Sequence, residues 1–168
     1  MSKIALGTVQ FGIDYGVNSV DGQVGPEEVK KILSYANLKD VDLLDAAPAY
    51  GNSEKILGRM NVSNFKVVTK TRHFDSLEIK NTDVKLLNND FHHSLKDLKQ
   101  DSVYGILIHN ADDLLKPGAE KLLDQLQELK QAEKIVKIGV SVYNHSQLQP
   151  ILDNFDIDLV QLPFNILD

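Results

Sequence analysis

The fold class predicted here is α/β: a parallel (β/α) barrel of TIM type, truncated after the sixth strand. Three observations predict it. Apolar strand-like runs alternate strictly with helical stripes, the order of a parallel sheet whose crossover helices turn right-handed. The runs are nearly continuous in apolar residues, as in Tyr104–Ile108, which suits strands covered on both faces. No G-x-G-x-x-G follows the first run and no Walker-type lysine loop occurs, which counts against a dinucleotide-binding doubly wound sheet.

Ile4–Thr8 reads as the first strand and leads into a glycine-bearing loop, VQFGIDYGVNSVDGQV. Pro26 is well placed to open a helix over Pro26–Asn37, where Val29, Ile32, Leu33 and Ala36 recur at helical spacing. Val41–Ala46 is the second strand and carries Asp45 near its end. The pair Tyr50-Gly51 reads as exposed loop, and Ser53–Met60 as a short helix capped by Asn52 or Ser53. Phe65–Thr71 is β-branched and apolar through its middle, a third strand. Val84, Leu87, Phe91, Leu95 and Leu98 mark a helix over about Asp83–Lys99. Val103–His109 is the fourth strand. Ala119, Leu122, Leu123, Leu126 and Leu129 form the next helical stripe. Lys137–Val142, a helix marked by Leu148, Ile151, Leu152 and Phe155, and the strand Leu159–Leu162 complete the series. Eight strand-helix units take about 250 residues. With 168 residues, the chain (1–168) is expected to be a single incomplete barrel domain lacking the last two units.

Composition narrows the function classes. Hydrophobic content of 42% and charged content of 25% are ordinary for a globular domain. No apolar run approaches the roughly 18 residues of a membrane span, and the N-terminus does not read as a secretory signal. Cytoplasmic localisation is the expectation, with no membrane partner. Cysteine is absent, so thiolate metal sites and disulfides are excluded. A net charge of −6 argues against a nucleic-acid partner.

Four polar residues fall at or just past the ends of three consecutive strands: Asp45, Tyr50, Lys70 and His109. Singly, each has an ordinary explanation: a solvated lysine, a packed tyrosine, a hydrogen-bonded histidine. Together they fall where barrel enzymes build their sites, at the C-terminal ends of strands. His73 and His145 lie in loops at the same end, where either could line a substrate pocket. His92 and His93 are adjacent on a helix and point about 100° apart, so a solvated face is the plain reading. No pair has metal-ligand spacing, and no metal is expected.

The stretch Asp45-Ala46-Ala47, Tyr50-Gly51, Ser53-Glu54 and Leu57-Gly58 resembles the main signature of the aldo-keto reductases. Gly7-Thr8 with Phe11-Gly12, VVTKT around Lys70, LIHN around His109, GVS at Gly139–Ser141 and QLPFN at Gln161–Asn165 extend the resemblance over the whole chain. It implies NADPH-dependent reduction of an aldehyde or ketone, or the reverse oxidation. Tyr50 would be the general acid, Lys70 its neighbour, Asp45 the lysine's partner and His109 a donor to the substrate carbonyl. Ser141 and Gln161 would hold the nicotinamide carboxamide, with Gly7 and Thr8 also on the cofactor side. Two departures stand out. Val142 occupies the position where many members have Asn. The family's grip on the adenosine phosphates comes largely from loops after the seventh and eighth strands, so weak NADPH binding is expected.

The chemistry needs these residue types whatever the family. Hydride delivery to a carbonyl builds negative charge on oxygen, so a proton must arrive with it. A phenol of pKa about 10 yields its proton poorly at neutral pH. A cation about 4 Å away, at an effective dielectric near 20, favours phenolate by about 4 kcal/mol, or about a thousandfold in proton affinity. Donors aimed at the oxygen stabilise the charge as it develops.

Two rival readings remain: a non-catalytic binding or regulatory barrel, and an inactive fragment of a longer reductase. Retention of all four polar residues argues against the first. A sheet of six strands would also leave its first and last strands unpaired, so self-association through open strand edges is expected.

Overall fold

The computed structural model describes residues 3–16 and 22–165. Its strands are β1 (Leu6–Gly7), β2 (Leu43–Asp45), β3 (Lys66–Lys70), β4 (Val103–Ile108), β5 (Ile135–Ser141) and β6 (Leu159–Gln161). They form one sheet in the hydrogen-bonded order β1-β2-β3-β4-β5-β6. The pairs β1–β2, β2–β3 and β5–β6 are parallel, with Gly7 opposite Asp45, Asp45 opposite Val68 and Ser141 opposite Gln161. The expected α/β class and sequential strand order are therefore present.

The helices are α1 (Val9–Gly12), α2 (Pro26–Leu38), α3 (Ser53–Arg59), α4 (Asn81–Leu98), α5 (Glu120–Gln131) and α6 (His145–Asn154). Pro26 opens α2, where its missing N–H costs nothing, and Glu27 and Glu28 favour the positive end of the helix dipole. Asn144 caps α6 by accepting from the Ser146 N–H, and Gln147 reaches back to the Asn144 N–H, a reciprocal capping box. Three helices end alike. Asp40, Lys99 and Glu133 take left-handed backbone, with φ of 56°, 53° and 55°. The next N–H then reaches back five residues to close the last turn: Val41 to Ala36, Gln100 to Leu95 and Lys134 to Leu129. This closure stops each helix and turns the chain into β2, β4 or β5 within a few residues.

Two compact units divide the chain. The first comprises the described residues within Met1–Thr69 and His92–Tyr104. Its core includes Val29, Leu33 and Ala36 of α2, Leu44 of β2, Ile56 and Leu57 of α3, Val67 and Val68 of β3, and Leu95 and Leu98 of α4. Gly58 lets α3 seat against the end of α4. A Cβ there would lie 2.0 Å from the Asp97 carbonyl oxygen.

The second unit comprises the described residues within Lys70–Phe91 and Gly105–Asp168. Its core is built by Ile106, Leu107 and Ile108 of β4, Leu122, Leu126 and Leu129 of α5, Ile138 and Val140 of β5, and Ile151 of α6. Asp158, just before β6, accepts from the Ile138 N–H at 2.9 Å and pairs with Lys130 at 2.6 Å and Lys137 at 3.3 Å. Partial burial pushes its carboxyl up, but these donors outweigh burial and hold it below the ordinary carboxylate range.

The loop after the first strand contains α1, a four-residue helix too short to show a period; residues 17–21 of that loop lie outside the described residues. A 3₁₀ helix at Ala111–Leu115 was also not expected. Helix α4 starts two residues before the expected Asp83, and β5 two residues before Lys137, because apolar periodicity marks buried faces rather than ends.

Gly58→Ala is expected to destabilise the chain by about 1–3 kcal/mol, because backbone must move to admit one methyl group. Urea unfolding of parent and variant checks this, and equal midpoints would contradict the close approach.

Candidate active site

Each candidate residue but Tyr50 lies at the C-terminal end of a strand or immediately beyond it. Gly7 ends β1 and Thr8 follows it; Asp45 ends β2; Lys70 ends β3; His109 follows β4; Ser141 ends β5; Gln161 ends β6. Tyr50 lies in the loop between β2 and α3. Gly7, Thr8, Asp45 and Tyr50 belong to the first unit, and Lys70, His109, Ser141 and Gln161 to the second.

In the first unit, the loop after β2 is tied down by a small knot of hydroxyls. Thr8 is fully buried. Its backbone N–H donates to the Asp45 carbonyl at 3.0 Å, and its Oγ1 donates to the same oxygen at 2.8 Å. Ser53 Oγ lies 2.8 Å from Thr8 Oγ1 and 2.9 Å from the Thr8 carbonyl oxygen. The two hydroxyls thus join the ends of β1 and β2 to the start of α3. The sequence predicts Asn52 or Ser53 as the helix cap. In the structure Asn52 makes no side-chain cap bond, and the Ser53 hydroxyl is engaged with Thr8.

Two backbone turns shape the rest of the loop. The Tyr50 N–H donates to the Ala47 carbonyl at 3.0 Å, and the Ser53 N–H to the Tyr50 carbonyl at 3.1 Å. Gly51 has φ +61°, a conformation that a glycine adopts without strain. Gly12 of α1 supplies the wall behind the loop, and a Cβ there would lie 1.7 Å from the Tyr50 carbonyl oxygen. Tyr50 was expected to be exposed, but is half-buried, because its loop folds against α1 instead of standing in solvent.

Glu54 follows this loop and is a buried carboxyl that the sequence reading left without a role. Its Oε1 accepts from Thr69 Oγ1 at 2.5 Å, and Ser94 gives it a second hydrogen bond. Burial raises its pKa above the ordinary glutamate value, and the two hydroxyl donors offset only part of that.

In the second unit, Lys70 is buried at the end of β3. Thr71 then knits the ends of β3 and β4 together. Its N–H donates to the Leu107 carbonyl at 2.9 Å, and its Oγ1 accepts from the His109 N–H at 3.2 Å. His73, two residues on, packs against His109 with ring centroids 4.7 Å apart and planes at 84°. Arg72 points its guanidinium at Asp90 of α4 in a two-pronged ion pair, one prong at 2.9 Å. Lys116 binds both the Phe74 carbonyl and the buried Asp113, the latter at 2.7 Å, so the loop after β3 is anchored to the 3₁₀ helix. None of these ties was predicted, since each joins residues remote in sequence or in a loop without a period.

Ser141 and Gln161 face each other in register at the ends of β5 and β6, and the Val142 N–H donates to the Gln161 carbonyl at 2.8 Å. A hydroxyl and a primary amide side by side can both donate and accept, the donor set that suits a carboxamide. Among the described residues, no cluster of three or more His, Asp or Glu is arranged to hold a metal ion. No helix among them is long and apolar enough to cross a membrane.

The raised Glu54 pKa fixes the sign of a pH effect. The folded state holds this proton more tightly than the unfolded state, so its contribution is full below the ordinary glutamate value and lost as pH rises through the folded one. Stability measured against pH should therefore fall over that window relative to Glu54→Gln. Parallel profiles for the two proteins would contradict the burial effect.

Comparison with known proteins bears on the family and the fold. The model of the aldo/keto reductase family matches residues 3–168. Aldo-keto reductase YhdN of Bacillus subtilis (strain 168) is 28% identical over 180 residues, covering 99% of this chain and 51% of the relative. The chain therefore spans about half the length of the curated relative it matches. A Pseudomonas aeruginosa protein assigned to the aldo-keto reductases is 25% identical with a TM-score of 0.79, covering 98% of this chain and 64% of that one. The Bombyx mori aldo-keto reductase in complex with NADP is 22% identical with a TM-score of 0.68, covering 96% of this chain and 54% of that one, a likeness of fold.

Proposed function

The chain belongs to the aldo/keto reductase family, and from that premise we propose that it serves NADPH-dependent reduction of an aldehyde or ketone to an alcohol, or the reverse oxidation. The observation that carries this reading is the position of the polar residues. Asp45, Lys70, His109, Ser141 and Gln161 each stand at the C-terminal end of a different strand, in a sheet of sequential order. Barrel enzymes place their chemistry at that end.

In this reading Tyr50 donates the proton that the carbonyl oxygen needs as negative charge builds on it. Lys70 supplies a buried cation that eases the phenol's loss of that proton, and the Asp45 carboxylate steadies the ammonium. His109 donates to the carbonyl oxygen and, with Tyr50, stabilises the developing oxyanion. Ser141 and Gln161 hold a carboxamide with their hydroxyl and amide. Gly7 and Thr8, at the end of β1, stand on the cofactor side. The nicotinamide supplies the hydride when it is bound. NADP in the Bombyx mori relative supports that choice of cofactor, and a small-molecule carbonyl compound is the substrate class that goes with it.

Tyr50→Phe is expected to lower carbonyl-dependent NADPH oxidation by about 10²–10⁴-fold with cofactor affinity nearly unchanged. Lys70→Met should lower turnover through the same proton. Steady-state kinetics with a fluorescence titration of NADPH reads both effects, and undiminished turnover in Tyr50→Phe would sink the assignment.

A further inference from the structure

The loop after β3 places an exposed imidazole, His73, edge to face with the half-buried His109. The backbone explains why the two rings meet. Thr71 fastens both the Leu107 carbonyl and the His109 N–H, so residues 71–73 run beside residues 107–109. Further on, Lys116 pins the loop at the Phe74 carbonyl, and the Phe74 N–H donates to buried Asp113 at 3.3 Å. His73 is therefore bracketed on both sides by hydrogen-bonded residues, although its own side chain is in solvent.

Backbone anchoring leaves a histidine one broad degree of freedom, rotation of its ring about χ2. A perpendicular aromatic neighbour at 4.7 Å restricts that rotation, because swinging one ring breaks the edge-to-face contact. Ring orientation decides where a ring nitrogen's N–H points. We propose that His73 is a positioning residue for His109, holding its ring in the orientation in which a nitrogen donates to the substrate's carbonyl oxygen. The inference rests on the role of His109 in the reaction above. His73 touches neither the reacting carbonyl nor the cofactor in this account, and acts through the ring beside it. It is exposed, so removing its ring takes nothing from the core and leaves folding intact.

Carbon-13 relaxation of the His109 ring in the full chain reads its order directly, whether or not the protein turns over. His73→Ala is expected to loosen that ring, and His73→Phe, which keeps a flat ring in place, to preserve it. Turnover should fall about tenfold or more in His73→Ala through kcat, with KM little changed, and recover in His73→Phe. In a His109→Ala background, His73→Ala should then have no further effect. A His109 ring as ordered in His73→Ala as in the parent overturns the inference. So does a turnover loss that persists in the His109→Ala background, since His73 would then act elsewhere. A parent without carbonyl reduction refutes the functional reading alone, and the relaxation result still decides whether His73 holds the ring.

Discussion

The approach of two pieces of backbone, Gly12 of α1 and the carbonyl of Tyr50, is the constraint on which the first unit depends. No side chain fits between them, since a Cβ at residue 12 would fall 1.7 Å from that oxygen and 2.5 Å from the Ser53 nitrogen. With the gap closed, the Tyr50 carbonyl accepts the Ser53 N–H, α3 begins, and the Ser53 hydroxyl reaches Thr8. Thr8 in turn grips the Asp45 carbonyl. A glycine, two hydroxyls and two turns therefore set where the phenol and the carboxylate of the proposed site stand. Two hydroxyls in a buried place are economical in this role, because each can donate and accept and none carries a charge that burial would penalise.

The second unit solves the same problem with charges and rings. Thr71 joins the strand ends, the Arg72–Asp90 and Lys116–Asp113 pairs fasten the loop after β3, and the two imidazoles meet between them. The contrast has a physical basis. In the first unit, seven residues separate the end of β2 at Asp45 from the start of α3 at Ser53, and two backbone turns with the Thr8 and Ser53 hydroxyls hold them. In the second, ten residues separate the end of β3 at Lys70 from the start of α4 at Asn81, and a loop of that length has to be held by its side chains. Burial also differs at the proposed site: Lys70 and Ser141 are buried, while Tyr50, His109 and Gln161 are half-buried.

Much of this was legible in the sequence. Asp45 and Lys70 were legible as polar residues at or near the ends of apolar runs, whereas Ser141 was singled out by the family resemblance alone. Helix α2 was legible because Pro26 marks its start and Val29, Leu33 and Ala36 its buried face. The Thr8–Ser53 contact spans 45 residues, and no local pattern encodes a hydroxyl pair at that distance. Gly12 was legible only as part of the family resemblance, since a glycine needed for close approach is indistinguishable in sequence from one needed for a turn. Tyr50 read as exposed because its neighbours are small and polar, whereas its burial comes from α1, a helix of one turn with no periodic signature.

Amide hydrogen exchange in Gly12→Ala tests most directly whether that backbone approach sets the Tyr50 loop. The Ser53 and Tyr50 amides should lose protection by about tenfold or more as their turns open, while the Thr71 amide, bonded to Leu107 in the other unit, keeps its own. A Ser53 amide as well protected in Gly12→Ala as in the parent would mean that the loop stands without the close approach, and that something other than Gly12 places Tyr50.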